Sequence, residues 1–115
     1  MHELSYMIKM VNLAEDTAIE NDIEHIDKIV VEVGAMTGVL PYYLHKYYPE
    51  ATKGTRLEGS ELEVIEIPVK AICNNCQTEY EPTKENDYRC PHCTSTSSHI
   101  VAGRDVTLKN ILVNE

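Results

Sequence analysis

Cys73-Asn74-Asn75-Cys76 and Cys90-Pro91-His92-Cys93 stand thirteen residues apart. Two Cys-x-x-Cys hooks at this separation can fold back on each other and offer four thiolates to one ion. A closed tetrahedral shell of four cysteines is a common structural zinc site, so Cys73, Cys76, Cys90 and Cys93 are the expected zinc ligands. The spacer is slightly shorter than usual for this pattern, yet it can span a small ribbon. In a reducing compartment such paired hooks read as metal ligands and not as disulfides. A redox-active dithiol normally uses one such motif at a helix start. Iron in the same four sulfurs would make a rubredoxin-like electron carrier, the redox alternative.

Outward from the hooks, Leu62 to Ile67 alternates as a strand and Pro68 ends it. Thr94 to Ser98 has loop composition, and a last strand is expected from Val106 to Val113. Ile26 to Val33 is rich in β-branched residues and reads as a first strand, followed by a turn from Gly34 to Gly38. Leu4, Met7, Ile8, Val11, Leu13, Ala14, Ala18 and Ile19 fall at helical spacing, which predicts a helix from Leu4 to Glu20. Pro41 fits the first turn of a second helix, whose apolar face is Tyr43, Leu44, Tyr47 and Tyr48. Pro49 either stops that helix near Tyr48 or kinks it. The expected fold is α+β: a small three-stranded sheet covered by two helices, with an inserted four-cysteine zinc-ribbon subdomain. The domains are then residues 1–68 plus 104–115, and residues 69–103.

The chain of 115 residues carries a net charge of −9, with no Trp and no Phe. Residues 1–68 hold thirteen Asp/Glu against five Lys/Arg, and residues 69–115 hold six against five. An acidic surface repels phosphate backbones, which weighs against the alternative of a zinc-ribbon adaptor or nucleic-acid-binding module. No run approaches a membrane span and no apolar signal core opens the chain, so a cytoplasmic protein is expected, with no membrane partner. There is no Ser/His/Asp or Cys/His nucleophile arrangement and no phosphate-cradling Gly loop, so no enzyme is expected.

The chain opens Met1-His2-Glu3. The amine of Met1, the deprotonated amide of His2 and its imidazole can chelate one ion in adjoining five- and six-membered rings. In-plane nitrogen ligands suit Ni(II) or Cu(II). The amide or carboxylate of Glu3 can complete or cap the set. His at the second position leaves a fully closed four-nitrogen chelate one ligand short, which favours passing the metal on. Among the other histidines, His99 is a candidate auxiliary nickel ligand and His92 a solvent-facing loop residue or exchanging zinc ligand. His25 and His45 read as ordinary surface or helix residues. Tyr42, Tyr43, Tyr47 and Tyr48 read as core and partner-facing surface.

Several segments together resemble the HypA/HybF family of hydrogenase maturation nickel chaperones: Met1-His2-Glu3-Leu4-Ser5, Gly54-Thr55 before an acidic strand, Pro68 before the first hook, the Cys90-Pro91-x-Cys93 hook, and Gly103-Arg104-Asp105 leading into Leu108-Lys109-Asn110-Ile111. The likeness runs over essentially the whole chain. It implies transient Ni(II) on Met1, His2 and Glu3, in a nickel-binding α/β domain, and structural Zn(II) on the four cysteines. It also implies delivery of nickel to a [NiFe] hydrogenase precursor, with a HypB-type GTPase as partner. Nickel serves urease as well in some members, so urease maturation proteins join the expected partners; a homodimer is among the expected assemblies. Pro49 stands where an acidic residue is commoner in that family.

Overall fold

A computed structural model describes residues 2–114, with side chains described for 3–114. It resolves into two compact units. One comprises Met1–Val33, Val39–Ile65 and Val106–Glu115, and the other Gly34–Gly38 with Glu66–Asp105.

In the first unit, helix α1 runs His2–Glu20, starting earlier than the apolar spacing predicts. Its buried face is Met7, Met10, Val11, Ala14 and Ala18. Ile8, Leu13 and Ile19, which also fit the periodic pattern, are exposed. Helix α2 spans Pro41–Thr52 and continues through Pro49. Pro49 lacks an N–H, so the carbonyl of His45 loses its helical donor. His45 and Pro49 are both exposed, so water can serve that carbonyl. Downstream, the Thr52 hydroxyl donates to the Tyr48 carbonyl at 2.9 Å and supports the last turn.

Strands β1 (Lys28–Gly34), β2 (Glu61–Ile67) and β6 (Val106–Leu112) form one sheet in the order β2-β1-β6. β1 and β6 are antiparallel, with a register break between Val30 and Val31. There Val30 pairs with Asn110 but Val31 with Leu108, so Lys109 is an extra residue on β6. The bulge resets the alternation, which is why Leu108 and Ile111, three apart, both pack on the core. Ile29, Val31 and Val33 supply the core from one face of β1, joined by Leu44, Tyr48 and Leu57. Glu15 of α1 ties down the 53–60 loop: its carboxylate accepts from the backbone N–H of Arg56 at 2.5 Å and from the guanidinium at 2.8 Å.

The second unit has its own sheet, ordered β4-β3-β5, from β3 (Lys70–Cys73), β4 (Glu79–Tyr80) and β5 (Ser98–Ala102). The turn at Gly34–Gly38 belongs to this unit. The Gly34 N–H donates to the Asp105 carbonyl and that of Met36 to the Gly103 carbonyl, both at 2.9 Å. The two backbones approach so closely that a Cβ on Gly34 would lie 2.2 Å from the carbonyl of Gly103. Gly103, at φ 87°, has the left-handed conformation that suits glycine.

Candidate metal centre

The two hooks adopt the same backbone fold. In the first, the N–H of Gln77 donates to the Cys73 carbonyl and that of Cys73 to the Thr78 carbonyl. In the second, Thr94 donates to Cys90 and Cys90 to Ser95 in the same pattern. Gln77 and Thr94, each following a second cysteine, have positive φ of 64° and 61°. Each hook is therefore a tight loop that turns both of its sulfurs to one side.

The result is a cluster of four sulfurs, all within 4.8 Å of one another. Cys73 and Cys93 are 3.4 Å apart and Cys76 and Cys90 3.5 Å, and all four cysteines are free thiols. A tetrahedral ion with metal–sulfur bonds of about 2.3 Å needs sulfurs about 3.8 Å apart. The donor set fits such an ion with little rearrangement.

Surrounding groups favour thiolate on the two more open sulfurs. The Thr78 hydroxyl, 3.1 Å from Cys76 Sγ, lowers that thiol below its usual range, helped by the Thr78 backbone. Cys93 is likewise lowered, first by the Asn75 side chain, whose Nδ2 lies 3.6 Å from the sulfur. Burial pushes Cys90 up, while the amides of Cys93 and His92 pull the other way. Asn75 also donates its backbone N–H to Cys73 Sγ at 3.4 Å. Asn75 and Thr78 are the functional residues that cysteine spacing misses. The available signal is the residue type: a short polar side chain two positions beyond a hook cysteine.

His92 is exposed on the second hook and is not part of the gathered ligand set. His99 is on β5, exposed, and its Nδ1–H donates to Asn74 Oδ1 at 2.7 Å. Of the expected nickel ligands, Met1 lies outside the described residues, as does the side chain of His2. His2 is the first residue of α1, and Glu3 is half-buried in its first turn. His25 is exposed, with Nε2 3.0 Å from the Glu58 carbonyl, and His45 is exposed on α2.

A family model described as hydrogenase/urease nickel incorporation, metallochaperone, hypA matches residues 1–113. The chain belongs to the HypA family. Among HypA relatives, the hydrogenase maturation factor HypA of Chloroflexus aurantiacus is 36% identical over 108 residues, covering 94% of this chain and 95% of its own length. That of Aquifex aeolicus is 36% identical over 112 residues, covering 96% of each. The solution structure of the Ni metallochaperone HypA from Helicobacter pylori aligns with a TM-score of 0.71 over 95% of this chain and 94% of that one, at 19% identity. A second HypA solution structure gives 0.75 at 20% identity, over 96% and 94%. These two structures bear on the fold, which is the HypA fold of an α+β unit and a four-cysteine subdomain. Among the described residues no helix is long and apolar enough to cross a membrane.

Proposed function

We propose that this HypA-family chain is a cytoplasmic nickel metallochaperone that binds Ni(II) through Met1, His2 and Glu3 and delivers it to a [NiFe] hydrogenase precursor. Residues 1–68 and 104–115 form the nickel-binding domain, and residues 69–103 form a ribbon held by structural zinc on Cys73, Cys76, Cys90 and Cys93. The observation that carries the reading is membership, from residue 1 to residue 113, in a family described by nickel incorporation. By the same membership, a HypB-type GTPase, urease maturation proteins and a second copy of the chain are its proposed partners.

The start of α1 supports the chemistry. The first four N–H groups of a helix have no intrahelical acceptor. His2 and Glu3 open α1, so their amide nitrogens can serve a metal without breaking a helical hydrogen bond. Amine, amide and imidazole donors favour a square-planar ion such as Ni(II), and protons compete for all three. Nickel affinity therefore falls as pH falls. His99 is the proposed auxiliary ligand; with Nδ1 engaged by Asn74, it would use Nε2.

Metal analysis after nickel exposure tests both sites. The intact protein should hold one zinc that resists removal and one nickel that exchanges. His2→Ala, or a peptide extension that blocks the Met1 amine, should lose the nickel and keep the zinc. Unchanged nickel affinity in both variants would sink the N-terminal assignment.

A further inference from the structure

The ribbon unit holds a mismatch between hydrogen-bond donors and acceptors. Tyr80 is 7% exposed, and its hydroxyl is buried with no hydrogen-bond partner, the one such side-chain atom among the described residues. Buried hydroxyls are normally satisfied, so an orphan calls for an explanation. Tyr80 faces Ala71 across the β3–β4 pair. Side chains on one strand face repeat every second residue, so Tyr80 shares its face with Ala71 and Cys73. It packs in one buried cluster with Ala71, Cys73 and Cys90, flanked by Cys76, Cys93 and Ile100.

The four sulfurs are served unequally by side chains. Cys76 has the Thr78 hydroxyl and Cys93 has the Asn75 amide. Cys73 and Cys90, the two buried sulfurs, have no side-chain partner beyond the thiols of Cys93 and Cys76. Those thiol protons leave when a metal binds, because the ligand is the thiolate. As metal ligands both buried sulfurs would be charged and stronger acceptors, with room for a further donor. An orphaned buried hydroxyl then shares a cluster with two charged sulfurs whose remaining donors are backbone amides, that of Asn75 for Cys73 and those of His92 and Cys93 for Cys90.

We propose that the Tyr80 hydroxyl donates a hydrogen bond to the buried thiolates, Cys73 and Cys90, of the metal-loaded centre and thereby slows metal loss. Tyr80 is a positioning residue and not a ligand. The inference rests on the reading of the four cysteines as a zinc site. Outer-shell partners of metal ligands commonly change affinity by about 10- to 100-fold when removed.

The test is Tyr80→Phe, which keeps the ring and removes the oxygen. Zinc-loaded wild type and Y80F are challenged with excess chelator, and cobalt-loaded samples of both are compared by absorption spectroscopy. Y80F should release zinc about tenfold faster. Its sulfur-to-cobalt charge-transfer band should move to lower energy, as expected of thiolates that have lost a donor. Equal release rates and an unmoved band overturn the inference while leaving the zinc reading intact. If wild type itself takes up neither ion on its cysteines, the zinc reading fails and this inference fails with it.

Discussion

The α/β unit buries Met7, Met10, Ile26, Ile29, Val31, Leu44 and Leu57 in one continuous core, whereas the ribbon unit buries Ala71, Cys73, Tyr80 and Cys90. The first set consists of large side chains from two helices and a sheet, enough apolar surface to drive its own folding. The second is two cysteines, an alanine and a tyrosine with an unpaired hydroxyl. A cluster that small does not repay the chain entropy of some forty residues. The difference teaches that the two units need different forces: the first is held by removing hydrocarbon from water, and the second, on the proposed zinc reading, by a coordinated ion.

The strongest way to break that contrast is to take the ion away. Cys90→Ala, or exhaustive chelation, should unfold the ribbon unit, because metal binding in such small domains supplies on the order of 10 kcal/mol of folding free energy. Amide chemical shifts from residues 70–102 should collapse while those from α1, β1 and α2 keep their dispersion. A ribbon that stays dispersed without metal would erase the distinction.

The reverse experiment is Leu44→Ala. Leu44 is fully buried, so the cavity should cost about 2–5 kcal/mol, read as a lower denaturation midpoint of the α/β unit. The metal content of the ribbon should stay the same. Glu15→Gln should cost less, about 1–2 kcal/mol, because it weakens charge-assisted hydrogen bonds that are partly open to solvent.

The smallest effect is expected at Glu63, whose carboxylate meets Lys28 Nζ at 2.7 Å on the surface. The hydrogen bond from Lys28 holds Glu63 below its ordinary value of 4.5. A lowered carboxylate stabilises the fold fully above that ordinary value, and the contribution disappears as pH falls through the lower folded value. Glu63→Gln should therefore leave neutral stability nearly unchanged and slightly flatten the acid limb of midpoint against pH. A large change at neutral pH would show that polar surface contacts carry more of this unit than its core does.

The four cysteines and both helices were legible because their patterns are local: a fixed spacing of ligand types, and apolar residues every third or fourth position. The resemblance of the opening tripeptide and the Gly103-Arg104-Asp105 segment to one family was also legible, and the family match bears it out. Long-range pairing was not. Alternation alone cannot reveal that Lys109 is an extra residue on β6, since a bulge depends on the register of the partner strand. Nor could it show that α2 passes through Pro49, where the exposure of His45 and Pro49 makes the missing donor tolerable. β4 has two residues, too few for any period, so the place of Tyr80 beside the cysteines appears only in three dimensions. The same holds for His99 and Asn74, which are 25 positions apart and 2.7 Å from each other.

The close approach of Gly34 and Gly103 sets a rule for anyone who wishes to move this ribbon into another protein. A graft cut at Glu66 and Asp105 would leave behind Gly34–Gly38, the short segment whose amides bond to Gly103 and Asp105. The portable module is discontinuous, and a recipient scaffold must supply a glycine-bearing turn of its own at that seam.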